Sequence, residues 1–321
     1  MILAVGRLRD RAISCLRSLL RQDCIGEIEL LLLDFDVDGS PPVPGSDHPS
    51  VRILKIEPAA PFSAARLRAV REARAPIVAF VEEHCTVFDG WASAILAAHA
   101  REQCAAVGAE VHNANPQVPL SRTIELMNYN LWMPGARAGD YSMLPGHNSS
   151  FRRDVLLSYG ERLETLLRVE VALYTRMFLD GHRLYFEPAA KFSHLNENRL
   201  SSICRGYYLM HRCYGPVRAE VFHWTAARRW LYIVAAPLIP VYFLVRLTRV
   251  LSLNRPSLLL PMLRGIPAIF ISQLASGVGQ AVGLLFGQGD AERKFTDYEL
   301  NHPRGKADVA AADLPALAHS R

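Results

Sequence analysis

The chain has 321 residues, half of them hydrophobic, and 36 basic against 31 acidic side chains give a formal charge of +5. That is enough for one sizeable core with a further segment, and the charge is too small to point to nucleic acid as a partner. Six cysteines, at 15, 24, 85, 104, 204 and 213, form no Cys-x-x-Cys pair, which excludes a zinc signature or an obvious disulfide framework and suits a reducing compartment.

Met1 leads straight into "ILAV" (2–5), a short strand with the basic residues after it, so no secretory signal pattern is visible and a cytosolic catalytic part is expected. A helix follows with Ile13, Leu16, Leu19 and Leu20 on one face, then strands at "IELLLL" (28–33) and "VRILKI" (51–56). Ser63 to Arg74 has a helical pattern and "IVAFV" (77–81) reads as a fourth strand. Near-continuous apolar strands interleaved with helices predict an α/β layer fold with a mainly parallel sheet. Ligands of such sheets bind beyond the carboxyl ends of the strands. Two acidic clusters fall at that edge: Asp34 and Asp36 after the second strand, and Glu82, Glu83 and His84 after the fourth.

Bunched carboxylates repel unless a proton or cation lies between them. Hard oxygen ligands suit Mg²⁺ or Mn²⁺, and an imidazole tilts the choice towards Mn²⁺; such an ion keeps open positions for phosphate oxygens. A solvated turn whose acids pair with Arg66, Arg68 or Arg71 fits the same spacing equally well.

Composition divides the rest. Residues 1–220 mix acids and bases, whereas 221–290 hold six arginines and, as far as Gly289, no Asp or Glu. Within that stretch Trp230–Val245 and Gly265–Gly289 are uncharged and largely apolar. A transmembrane hairpin would put Arg246, Arg249 and Arg255 on the outer side, against the positive-inside tendency. Helices lying in the interface, with arginines on anionic lipid heads, avoid that problem. Ala275, Gly279, Gly283 and Gly287 form a small-residue stripe suited to close helix packing. A buried helical pair on the first domain is the other reading. Residues 291–321 read as a polar tail with little to bury.

The segment "SAARLRAVREARAPIVAFVEEHCTVFDGW" resembles the heart of a family 2 glycosyltransferase of the GT-A fold, where a similar helix and strand run into the Asp-x-Asp metal motif. "VGRLRDRAISCLRSLLRQD", "IELLLLDFDVDGS", "LPGHNSSFRRDVL" and "VEVALYTRMFLDGHRLYFEPAAKFSHLNE" are similar to further family segments in the family's order. The resemblance implies a nucleotide-sugar donor, a glycan or lipid-linked acceptor, and a divalent metal. It places Asp34 and Asp36 at the nucleotide, Arg66 facing the donor pocket, and Glu82 on the nucleotide side of a metal held by Glu83, His84 and His194. It places His147 and Asn148 on the acceptor side and Glu170 at the catalytic carboxylate. Metal charge on the leaving diphosphate and a general base opposite it make single displacement with inversion the implied chemistry. An enzyme of this kind, attached through its C-terminal helices, belongs on the cytoplasmic face of the inner membrane.

The sequence departs from the family where Glu and His replace Asp in the metal motif and Val169 replaces an acid before Glu170. These departures keep open a catalytically silent, nucleotide- or partner-binding descendant. "AARRW" (226–230) lacks the Gln of the processive Gln-x-x-Arg-Trp signature, which favours transfer of single sugars.

Overall fold

The structure, a computed structural model, describes residues 1–36 and 40–304. Strand β1 (Ile2–Val5) leads into helix α1 (Arg9–Leu20), whose buried Ala12, Cys15, Leu16 and Leu19 recur at the spacing of one helix face. Strands β2 (Leu30–Asp34) and β3 (Val51–Lys55), helix α2 (Phe62–Glu72) and strand β4 (Ile77–Glu82) follow in the predicted order. The four strands are parallel, in the order β3-β2-β1-β4. Leu30 to Leu33 are all buried, as a strand covered on both faces requires. Register pairs Val5 with Asp34 and Ala4 with Glu82, so the two acidic clusters share one sheet edge, on either side of β1.

The second half of the sheet is mixed. Strand β5 (Cys85–Val87) and helix α3 (Trp91–Glu102) precede strand β6 (Ala106–Asn113) and helix α4 (Pro119–Tyr129). Strands β7 (Gly139–Asp140) and β8 (Ser149–Arg152) follow, then helices α5 (Arg153–Ser158), α6 (Arg162–Leu167) and α7 (Glu170–Leu179), and strand β9 (Leu184–His194). The sheet continues from β4 through β8, β6, β9 and β5, with β7 on β9. Because β9 runs antiparallel to β5, its last residue, His194, pairs with Cys85 and so stands beside the acidic end of β4.

Helix α8 (Leu200–Val221) carries the chain to α9 (Ala226–Val234), α10 (Ile239–Asn254) and α11 (Leu259–Phe286). Helix α11 lies against α8 and α4. A Cβ on Gly279 would stand 2.4 Å from the Tyr208 carbonyl oxygen, and one on Gly283 2.2 Å from that of Arg212. Those two members of the predicted stripe therefore serve close contact between helices, whereas Gly287 ends α11 in open space at φ 77°. Two segments, 236–254 and 256–286, are long and apolar enough to cross a membrane, and only 22% and 28% of their apolar windows are buried. Arg255, at their junction, donates to the carbonyls of Met133 and Pro134 in the first domain.

The tail expected from 291 begins instead with a helix, α12 (Ala291–Asn301). Its Glu292, Thr296, Tyr298 and Leu300 are buried. The polar side chains among them find partners on α2, on α8, at Arg168 just after α6 and at Glu197, which composition alone does not reveal. Residues 305–321 lie outside the described part of the chain.

Candidate active site

Glu82 ends β4 with its carboxylate among three imidazoles. Its Oε2 lies 3.1 Å from His84 Nε2, 3.3 Å from His147 Nδ1 and 3.6 Å from His194 Nε2. The two facing nitrogens, His84 Nε2 and His194 Nε2, are 3.0 Å apart. His147 stacks on His194 with centroids 4.7 Å apart, and the Tyr129 hydroxyl stands 3.2 Å from His194 Nε2. Burial works against charge on Glu82, but His147 and His84 outweigh it and hold the carboxyl well below its usual range. Burial pushes His194 and His147 down, whereas His84, against the opposing effects of burial and Arg304, is held up by Glu82 and Glu83.

The orientation of His194 is fixed from behind. Asn196 gives its amide hydrogens to the Ser121 carbonyl and hydroxyl, at 3.4 and 3.2 Å, which turns its Oδ1 to His194 Nδ1 at 2.9 Å. The proton therefore sits on Nδ1, and the Nε2 lone pair points at Glu82 and His84. Metal–nitrogen and metal–oxygen bonds of about 2.0–2.2 Å put neighbouring ligand atoms roughly 3.0–3.5 Å apart. Glu82 Oε2, His84 Nε2 and His194 Nε2 fit a divalent ion on that measure. Cys85 is close to the same group, but burial lifts its thiol well above the ordinary range and keeps it protonated.

Glu83 does not join them. Its carboxylate binds the Arg11 guanidinium, with the two side chains 5% and 1% exposed, and lies 3.8 Å from His84 Nδ1. The expected division is thus reversed, with Glu82 facing the histidines and Glu83 neutralising a buried arginine. Asn148 stands in the turn directly before β8. It is fully buried, turns the chain at φ 52° and gives its backbone N–H to the Phe80 carbonyl at 2.8 Å, so it shapes the turn. Left-handed backbone of this kind is more accessible to Asn than to most residues.

A cavity of about 190 Å³ opens beside the histidines, lined among others by Arg66, Tyr129, His147, Glu170 and Arg304. Arg66 Nη1 lies 2.6 Å from Glu170 Oε1, and the guanidinium sits 5.3 Å over both Phe62 and Phe80. Gly146 lies beside Glu170, whose side-chain carbons would be in ordinary contact, at 3.7 Å, with a Cβ there. Asp34 stays at the sheet edge, bound to Arg9 Nη2 at 2.8 Å, and Asp36 accepts from the Ser40 hydroxyl. Neither lines this cavity.

Residues 6–160 match the family described as glycosyl transferase family 2. That stretch, a little under half of the chain, is a family 2 glycosyltransferase domain. No match was found among curated proteins. Of solved structures, S. aureus TarS 1–349 is 14% identical over 86% of this chain and 89% of its own, with a TM-score of 0.46. TarS 1–349 in complex with UDP-GlcNAc is also 14% identical, with the same coverage and a TM-score of 0.47. GalNAc-T7 with UDP, GalNAc and Mn²⁺ is 11% identical, covers 61% of this chain and 43% of its own, and has a TM-score of 0.43. The chain therefore spans less than half of that last structure.

Parts of this cluster and cavity come from later sequence. His194 and Asn196 come after the matched residues, and α12 adds Glu292, Tyr298 and Glu299 to the cavity wall. The "SHLNE" motif could have pointed to Asn196, two residues beyond His194. No local signal marks Tyr129, Arg11 or the residues of α12.

Proposed function

We propose that this glycosyltransferase moves one sugar from a nucleotide-sugar donor to an acceptor hydroxyl by single displacement, at the cytosolic face of a membrane. One observation carries the proposal: Glu82, His84 and His194 converge within 3.0–3.6 Å beside a cavity that Glu170 also lines. A divalent ion bound there, Mn²⁺ or Mg²⁺, would supply positive charge to a leaving diphosphate. Asn196 orients His194 for that task, and Arg11 keeps Glu83 out of it. Arg66 anchors Glu170 through Oε1, which leaves Oε2 to take the proton of the attacking hydroxyl as the new bond forms, with inversion at the anomeric carbon.

The acceptor side supports a lipid-linked acceptor. Ile124, Ile203, Tyr207, Met210 and Phe295 line the cavity from α4, α8 and α12, and α4 and α8 are the helices that α11 lies against. Outward, Trp230, Val234, Leu238, Tyr242 and Val245 are exposed on α9, α10 and their connection, with Arg228, Arg229, Arg246 and Arg249 among them. Apolar residues interleaved with arginine suit an interface of anionic lipid.

A second reading, a nucleotide-binding protein without turnover, draws on the Arg66–Glu170 pair, because the guanidinium occupies the carboxylate that would have to meet an acceptor hydroxyl. The test is a panel of nucleotide-sugars with Mn²⁺ and membrane lipid extract, with product configuration read by NMR. Glu82→Gln is expected to lose Mn²⁺ binding in EPR titration together with turnover. Glu170→Gln should keep Mn²⁺ and nucleotide binding and lose about 10²–10⁴-fold in rate. Nucleotide binding without turnover across the whole panel decides for the silent protein, and a retained anomeric configuration removes Glu170 from its role.

A further inference from the structure

We infer that α12 is a displaceable strap, closed over the donor side of the crevice, which a nucleotide-sugar must lift to bind. The inference rests on reading the crevice beyond β1, β2 and β4 as the donor site.

The strap is fastened at both ends. At its start, the Glu292 carboxylate accepts from the Ser63 backbone N–H at 3.2 Å and pairs with Arg168 Nε at 2.6 Å, while Thr296 Oγ1 accepts from the Phe62 N–H at 3.0 Å. Phe62 and Ser63 are the first residues of α2, whose leading N–H groups have no partner within the helix and favour an anion. Glu292 thus occupies, as a carboxylate, a position suited to the anionic groups of a substrate. At its far end, Asn301 Oδ1 accepts from the Arg7 N–H at 2.9 Å, and buried Arg11 donates to the carbonyls of Glu299 and His302. Leu300 and Asn301 press on Gly6, directly after β1 and between the strands that end in Asp34 and Glu82.

Volume argues that this closed arrangement admits no donor. Between the sheet, α2 and Glu299 only about 20 Å³ remains, and the neighbouring histidine-lined cavity holds about 190 Å³. Ligand sites for molecules of drug size measure roughly 300–1,000 Å³. The polar character of the fastening suits release, since its ion pairs and hydrogen bonds can be exchanged for contacts to the incoming diphosphate. Gly287 at φ 77° and Gly289 at φ 52° join α12 to α11 and supply a hinge. With a closed strap, apparent affinity is the intrinsic affinity multiplied by the fraction of open molecules.

Two substitutions test this from opposite ends without touching the histidine cluster. Glu292→Gln weakens the hold on α2 and Arg168. Gly6→Ala adds a Cβ that would lie 2.5 Å from Asn301 Oδ1 and 2.7 Å from Leu300 Cβ, wedging the far end away. The full-length protein and both variants are titrated with UDP, GDP and dTDP in the presence of Mn²⁺, and amide exchange of 291–301 is followed with and without nucleotide. Both variants should bind the preferred nucleotide about three- to tenfold more tightly, and nucleotide should speed exchange in α12 of the unmodified protein. The strap is refuted if a nucleotide binds the unmodified protein, α12 keeps its protection, and the variants bind equally or more weakly. If no nucleotide binds any form, the donor-site assignment itself fails, and the strap fails with it.

Discussion

Glu82 and Glu83 are neighbours of identical chemistry, yet Glu82 closes strand β4 while Glu83 opens the turn after it, and their carboxylates meet different partners. Glu82 meets three histidines, whereas Glu83 meets Arg11 in a nearly water-free contact. Removing one member of a buried ion pair leaves the other charged and unpaired, at a cost of about 3–5 kcal/mol. Glu83→Ala should therefore lower the thermal unfolding midpoint sharply while the folded fraction still binds Mn²⁺, the reverse of Glu82→Gln. Unfolding followed by circular dichroism, with Mn²⁺ titration below the midpoint, checks both halves. The sequence announced an acidic rim but not which carboxylate would face the crevice, because both arginine partner and histidine partners arrive from distant chain segments. A second residue-scale expectation concerns pH. His99 bonds to the Ser150 hydroxyl at 2.9 Å inside the core, and burial lowers its pKa from 6.5 to about 4. The unfolded chain then binds a proton that the folded chain refuses, so the stability His99 contributes is complete above pH 6.5 and drains away as pH falls towards 4. Each tenfold difference in proton affinity between the two states is worth roughly 1.4 kcal/mol, so relative to His99→Gln the native protein should lose up to about 3 kcal/mol over that window. Equal slopes of unfolding midpoint against pH in the two proteins would refute this.

At the scale of elements, periodicity gave the first four strands and two helices, because near-continuous apolar runs leave a strand little choice but the centre of a parallel sheet. The small-residue stripe in α11 was legible too, though its partner was not. Gly279 and Gly283 meet the backbone of α8, and the Cβ distances of 2.4 and 2.2 Å leave no space for any side chain. Gly283→Leu should push α11 away from α8, with overpacking costing about 1–3 kcal/mol and more if the helices separate. Thermal unfolding in a mild detergent reads the change, and an unaltered midpoint would show that the helices yield freely. Helix α12 escaped prediction for the opposite reason. Its signal is polar, and Glu292, Thr296 and Glu299 resemble a solvated helix face until the groups they satisfy are in place.

For the whole molecule, the question is how an enzyme domain and two apolar helices share one surface. A spanning hairpin would carry the turn between α10 and α11 to the far side of a bilayer, with a hydrocarbon core about 30 Å thick. In the structure that turn stays with the first domain, held by the two bonds from Arg255 to Met133 and Pro134. Helices lying in the headgroup layer would satisfy both facts: on that proposal the exposed apolar side chains of α9 and α10 enter the acyl boundary and their arginines meet lipid phosphates. Trp230 and Tyr242, 58% and 69% exposed, are among those side chains. Replacing both with glutamate removes two anchors and adds charge that anionic lipid repels, so binding to vesicles of anionic and zwitterionic lipid should weaken roughly tenfold or more. High salt should release the native protein in part, since screening weakens the arginine contribution but leaves the apolar one. Vesicle co-sedimentation measures both. A protein that stays in the pellet through salt, alkaline carbonate and the double substitution has helices that cross the bilayer, and the Arg255 contacts would then have to open on insertion.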